Sequence, residues 1–322
     1  MNAGRSGYLL RRVLAAALTA FVAISLNFFL FRAAPGNAVD QLARVPGGSP
    51  ALHAELAREF GLNKSLPTQY LLYLRQLASG NLGISFANRQ PVWSNLVQAV
   101  GNTIPMVLLG NIIAIVLGVL TGLVSAVRRG GILDHSSVGT ALIFYSLPAQ
   151  WLGLIIILLF AGTLPTGGRV DEFLINPSFI QHQLDIFRHM ILPALTLGLI
   201  IFGQYTLVVR SAMLETLGED YILTARAKGL PYLLIVRRHA LRNAMLPTVS
   251  LIGLSLGLVV GGTVLIETVF SWPGIGLATY NAVLQRDDPM LQGAFLLLTL
   301  SVIGCNLLAD LAYFKLDPRV GT

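Results

Sequence analysis

The sequence predicts an all-α integral membrane protein. It has six transmembrane helices, a long external loop between spans one and two, and a helical docking element on the cytoplasmic side. Three observations carry that prediction. The 322-residue chain is 54% hydrophobic and only 11% charged, with a mean hydropathy of +0.71. Soluble domains hold about 25% charged residues, so this chain has too few to solvate a globular surface of its size. Six apolar runs are each long enough to cross a hydrocarbon core, which takes about 20 helical residues. Between two of them lies Glu219–Pro247, a polar stretch dense in cations.

The net charge of +7 does not gather into one basic stripe. The cations flank apolar runs, which reads as membrane orientation and not as nucleic-acid binding. Cys305 is the single cysteine and lies inside an apolar run, which leaves no disulfide framework and no thiol metal cluster.

Residues 1–12 form a cytoplasmic N-terminus carrying Arg5, Arg11 and Arg12, followed by span one at Val13–Phe31. That apolar stretch is longer than the roughly 7–15 residues of a signal-peptide core. Ala34 is followed by Pro35, which disfavours cleavage, so the segment reads as a retained signal anchor.

The external segment 32–103 carries two helical stripes. Ser49-Pro50 is an N-cap and first-turn pair, after which Leu52, Leu56 and Phe60 recur at helical spacing before Gly61. Tyr70, Leu74 and Leu77 form the second stripe, closed by Ser79-Gly80; from Gly80 to Pro91 the chain reads as turns and short extended pieces. These two short amphipathic helices lie on the outer membrane face or cap a vestibule, or else pack on their own protein as a lid with no contact role.

The remaining spans are Ile104–Val127, Val138–Leu164, Met190–Val209, Pro247–Phe270 and Met290–Phe314. Residues 215–246 form a cytoplasmic region between spans four and five, and 315–322 a cytoplasmic C-terminus. Orientation follows from Lys and Arg in the short loops. Arg128, Arg129, the Glu219–Pro247 stretch, Lys315 and Arg319 fall on one side with the N-terminal arginines. The opposite short loops carry Arg169, Arg188 and Arg286. Both termini are therefore expected in the cytoplasm, in a multi-pass protein of the cell's inner membrane.

Gly253, Gly257 and Gly261 in span five, and Gly118 and Gly122 in span two, sit at small-xxx-small spacing that lets helix backbones approach closely. The polar groups inside the spans are Asn111, Gln150, Gln204, Glu267, Asn306 and Asp310. Glu267 and Asp310 fall near span ends, within reach of the interface. The amides Asn111, Gln150, Gln204 and Asn306 are the candidates for lining a polar path, because neutral hydrogen-bonding groups hold a solute without trapping it.

The docking element reads as a helix ending at Lys228, a Gly229 stop with Pro231 behind it, and a second helix running into Pro247. Its candidate contact residues are Asp220, Thr224, Ala225, Arg226, Ala227, Lys228 and Gly229. The small Ala225 and Ala227 are expected to permit close approach to a partner.

No catalytic residues emerge. The chain has no G-x-x-x-x-G-K-S/T phosphate loop and no H-E-x-x-H pair, so it is not expected to be an enzyme or to bind ATP by itself. His53, His135, His182, His189 and His239 are scattered without ligand spacing, and no metal site is expected. His182 and His189 flank an external loop and read as surface residues. A docking element without a motor calls for a partner that supplies energy.

TARAKGL at Thr224–Leu230, continuing through RRHALRNAMLP to Pro247, resembles the cytoplasmic coupling motif of binding-protein-dependent ABC permeases, in the variant of the peptide/nickel group. The resemblance extends over nearly the whole chain. It takes in Tyr8–Leu14, GLNKSLPTQY at Gly61–Tyr70, GNLGISF at Gly80–Phe86 and QPV at Gln90–Val92. Further on it takes in LPAQWLG at Leu147–Gly153, LPALTLG at Leu192–Gly198, ETVFSWPGIG at Glu267–Gly276 and LDPRVG at Leu316–Gly321. The long first external segment is similar to the B-type permease of dipeptide and oligopeptide importers, not to its C-type partner.

The resemblance implies a coupling helix, alternating access, and a pore formed with a second homologous permease. It also implies two cytoplasmic ATPases that hold ATP and Mg, with no cofactor on this chain, and an extracytoplasmic binding protein that delivers substrate. Peptide is the implied cargo, with glutathione or nickel chelates as alternatives on the same architecture. In the broader family the motif begins Glu-Ala-Ala; here those positions are Leu223, Thr224 and Ala225, and Glu219 and Asp220 supply acid one turn earlier. A gradient-driven secondary transporter is the reading from another class. It calls for a midplane carboxylate and inverted repeats, and the intramembrane acids lie near span ends. A membrane scaffold whose basic loop binds a signalling protein is a third.

Overall fold

The computed structural model describes residues 2–33 and 64–316; the side chains of 2–6, 8, 9, 250, 253–262 and 309–316 lie outside that description. Its elements are helices: α1 Asn2–Ala33, α2 Leu66–Ala78, α3 Val92–Val127, α4 Ile132–Ser146, α5 Ala149–Phe160, α6 Phe179–Leu217 and α7 Asp220–Ala227. They continue with α8 Tyr232–Leu234, a π-helical stretch Ile235–Ala240, α9 Leu241–Gly262, α10 Val264–Val269, α11 Ile275–Gln285 and α12 Asp288–Leu316. Among the described residues the only strand-like pairing is an isolated bridge between Ile84 and Pro91.

Among the described residues, four helices are long and apolar enough to cross a membrane, and a bent pair makes a fifth candidate. Their outward faces are apolar. On α3, Leu108, Ile112, Val116 and Leu120 recur every fourth residue and are about half exposed. Helices satisfy their own backbone groups, so such a stripe belongs against acyl chains or another apolar helix.

The chain divides into two compact units, Met1–Thr103 with Pro273–Thr322, and Ile104–Trp272. In the first, α1 packs along α12. Phe31 and Phe295 meet at 6.1 Å between ring centroids, and Asn27 Nδ2 donates to the Gln292 carbonyl at 3.0 Å. Phe28 joins α2 through Tyr70 and Tyr73, at 5.3 and 5.4 Å. The chain from Gly83 to Val92 closes on itself through Ser85 N to Gln90 O at 2.9 Å and Val92 N to Gly83 O at 3.0 Å. The Asp287 carboxylate holds that turn. It accepts from Ser85 Oγ, from the backbone N–H groups of Phe86 at 3.0 Å and Ala87 at 3.2 Å, and from its own helix start at Met290 N.

In the second unit α6 is the central helix, packed by α4, α5 and α9. The small residues of α3 set the distance to it. A Cβ on Gly118 would overlap Tyr205 Cβ, and one on Gly122 would stand 2.7 Å from the Thr206 carbonyl oxygen. The expected close contact at these two glycines is therefore made within the chain. The packing role expected of Gly253, Gly257 and Gly261 lies outside the described side chains.

Several expectations need correction. The run Val138–Leu164 is not one straight span: α4 and α5 meet at 107°. Pro148 has no N–H and pushes Leu147 into an extended conformation, φ −71 and ψ 133. The helix over the span expected from Pro247 to Phe270 begins earlier, at Leu241, with Pro247 inside it, and it breaks at Thr263 before α10. Helix α3 begins at Val92, inside the segment read as an external loop, and α11 was not foreseen. Glu267 does not reach an interface: it is fully buried. His189 is buried too, with Nδ1 at 2.9 Å from the Asp185 carbonyl. The stripe Leu52–Phe60, like Asp310, falls outside what is described, whereas the second stripe is α2, capped at Ser79 as read.

Candidate docking element and polar path

Helix α7 is short, and its ends are specified by sequence. Glu219 takes the extended N-cap conformation and Asp220 sits in the first turn, where a carboxylate meets the positive end of the helix dipole. Thr224 Oγ1 turns back onto the Asp220 carbonyl at 3.1 Å. At the other end Gly229 has φ +73. Its N–H donates to Arg226 O at 2.9 Å, and Leu230 N–H reaches Ala225 O at 3.4 Å. These two bonds are the paired closure of a Schellman cap, which needs a left-handed residue at the glycine position. The helix ends one residue earlier than read, at Ala227, with Lys228 as its cap.

One face of α7 is committed to the protein's own core. Ile222 and Ala225 are buried with Ala126 of α3, Met213 of α6, Val236 of the π-helical stretch and Ala244 of α9. Ala225 is therefore not on a surface open to a partner, which corrects the role expected of it. The exposed face presents Thr224, Arg226, Ala227, Lys228 and Gly229. Asn243 Nδ2 donates to the Tyr221 hydroxyl at 2.8 Å, joining α7 to α9. The π-helical stretch then buries Ile235, Val236 and Ala240 while leaving Arg237 and Arg238 exposed. The element is thus a basic outward surface on a platform fused to α3, α6 and α9.

A feature not anticipated from the sequence lies in the same unit. Asp134, in the first turn of α4 and before the predicted span, accepts from Arg210 Nε at 2.8 Å and Nη2 at 2.9 Å. It also accepts from Ser125 Oγ and from Gly130 N at 2.8 Å. The Arg210 bonds, then Ser125 and the Gly130 amide, hold the carboxyl well below the usual carboxylate range. This clasp ties the ends of α3, α4 and α6. A lone Asp and a lone Arg beside apolar runs were its only sequence signal.

The four amides fare differently. Asn111 is buried, donates to Val107 O at 2.9 Å, and has its carbonyl oxygen without a partner among the described residues. Gln150 is partly buried in the first turn of α5, just past the bend, and Gln204 is partly buried on α6. Asn306 is exposed on α12 in the other unit. Asn111 is the one with an unused polar atom in the interior.

Residues 114–322 match the family model described as binding-protein-dependent transport system inner membrane component. Residues 6–107 match the N-terminal membrane component model of the same transport systems. The chain is 40% identical over 333 residues to the dipeptide transport system permease protein DppB of Escherichia coli K12, covering 97% of this chain and 98% of that one. It is 39% identical to the di/tripeptide transport system permease protein DppB of Pseudomonas aeruginosa, over 94% and 95% of the two chains. With the dipeptide transport system permease protein DppB of Haemophilus influenzae the identity is 36%, over 93% and 95%.

Proposed function

Because the chain belongs to the family of binding-protein-dependent transport system inner membrane components, we propose that it is a pore-forming permease subunit of an ATP-driven peptide importer. Its six spans place both termini in the cytoplasm, with the bent stretch from Val138 through α5 as span three and α9–α10 as span five. A second homologous permease completes the pore. Two ATPases bind ATP and Mg, and an extracytoplasmic binding protein delivers the peptide. This chain itself carries no catalytic group and no cofactor.

The observation that carries the coupling part of this reading is the two-faced build of α7. Its apolar face is fixed to α3, α6 and α9, and its outer face offers Arg226, Ala227 and Lys228. An ATPase groove that accepts this end and closes on ATP displaces α7. The shared core passes that displacement to the spans and alternates access to the path. The Asp134–Arg210 clasp keeps α3, α4 and α6 moving together at that end. Along the path, the Asn111 carbonyl oxygen is the group offered to a peptide N–H, with Gln150, Gln204 and Asn306 as further candidates.

The test is ATP hydrolysis by the chain reconstituted with its co-purified partners and binding protein, with and without di- and tripeptides. Peptide-stimulated hydrolysis is expected. A chain that purifies with no ATPase and moves peptide on an ion gradient would replace the importer by a secondary transporter.

A further inference from the structure

In the first unit, a recess lies where the C-terminal end of α1 meets α2 and the start of α12. Arg32, Tyr73 and Gln292 line it with the amides of Gln69, Gln76 and Asn81, and with apolar residues that include Phe28. The Tyr73 hydroxyl is buried and faces the Asn27 side chain without a well-formed hydrogen bond among the described residues. Arg32 lies over the Phe28 ring, 5.5 Å from its centroid, and no described carboxylate pairs with it. Gln292 uses its backbone carbonyl toward Asn27, while its side-chain amide has no described bond.

A buried polar group without a partner is costly. Beside the Tyr73 phenol, the half-buried Arg32 guanidinium and the half-buried Gln292 amide line the same cavity. All three can donate hydrogen bonds and one carries a positive charge, a set that an oxyanion satisfies together. The cavity measures about 40 Å³, on a scale where one water needs about 10–15 Å³. That holds a phosphate-sized group and not a peptide.

The surroundings indicate where the oxyanion comes from. The outward face of α1 is apolar up to the recess, with Leu18, Phe21, Leu26, Phe29 and Leu30 each more than half exposed. In a bilayer such a face lies against acyl chains, and an arginine at the end of a span reaches the headgroups. We propose that the recess binds the phosphate of a phospholipid headgroup through Arg32, Tyr73 and Gln292, with the acyl chains laid along α1. Guanidinium and phosphate match in a bidentate geometry. The proposal rests on the membrane character of the chain alone, so it stands or falls separately from the peptide reading.

The experiment is a titration of the delipidated full-length chain in neutral detergent, read by native mass spectrometry. Its arms are phosphatidylglycerol, diacylglycerol and inorganic phosphate. One phosphatidylglycerol is expected to bind, with diacylglycerol and free phosphate each much weaker. Arg32→Gln is expected to weaken binding roughly tenfold to a hundredfold, the range of a charge-assisted hydrogen bond. Tyr73→Phe removes only a hydroxyl and is expected to weaken it severalfold, which keeps the test informative if the arginine variant misfolds. Diacylglycerol binding as well as phosphatidylglycerol would overturn the proposal. So would free phosphate matching the lipid, or both variants binding like the wild type.

Discussion

Arg210 holds Asp134 by two parallel hydrogen bonds, Nε to Oδ1 at 2.8 Å and Nη2 to Oδ2 at 2.9 Å. Ser125 bonds both partners, its hydroxyl accepting from Arg210 Nε at 3.0 Å and donating to Asp134. The three residues come from α6, α4 and α3, so one charged contact fixes three helix ends beside the platform that carries α7.

Removing either charge should lower the thermal midpoint of the purified chain. The double variant Arg210→Gln/Asp134→Asn should cost less than the sum of the single changes, because each single change strands the other partner. The pH dependence follows from the lowered pKa of Asp134. A depressed folded-state value gives stability that is present above the unfolded value of about 3.9 and lost as pH falls toward the folded one. The difference between wild type and Asp134→Asn should therefore stay constant from about pH 5 to 8 and shrink below about pH 4.

Gly229 closes the Schellman cap at φ +73. Gly229→Val should cost at least about 1–2 kcal/mol at that position, and peptide-stimulated ATP hydrolysis should fall with it. Gly229→Asn should keep most of both, since Asn tolerates the left-handed region. Stimulation that survives Gly229→Val in an assembled transporter would contradict the role given to the cap.

At the α3–α6 contact a side chain has no room. Gly122→Val should destabilise the chain by about 1–3 kcal/mol through overpacking and reduce the folded yield in detergent. Gly139→Ala faces open space and should leave yield unchanged.

Asp287 organises the Ser85–Ala87 turn from a distance in sequence. Asp287→Ala should speed hydrogen exchange at the Phe86 and Ala87 amides, with a local loss of about 1–3 kcal/mol for donors left unsatisfied. Amides of α7 should exchange as before.

What could be read from the sequence was what local chemistry decides. The apolar runs announced the long helices, Gly229 with Pro231 announced the cap, and Gly118 with Gly122 announced a close helix contact. The bend at Pro148 was written in the residue and masked by the unbroken apolar run around it. Val92–Asn102 gave no separate signal because it is merely the polar-flanked start of α3. The Asp134–Arg210 pair and the inward turn of Ala225 depend on how distant helices pack, which no local pattern records. Burial of Glu267 and His189 is likewise a tertiary fact, opposite to what their place near span ends suggested.

The central claim is that the exposed end of α7 docks an ATPase. A photo-crosslinking residue at Ala227, which is exposed, tests it in the assembled transporter, with Gly139 on α4 as the control position. A crosslink is expected from position 227 to the ATP-hydrolysing subunit, changing in yield between ATP-bound and nucleotide-free states, and none from position 139. No crosslink from 227 in a complex that still hydrolyses ATP in response to peptide would contradict it.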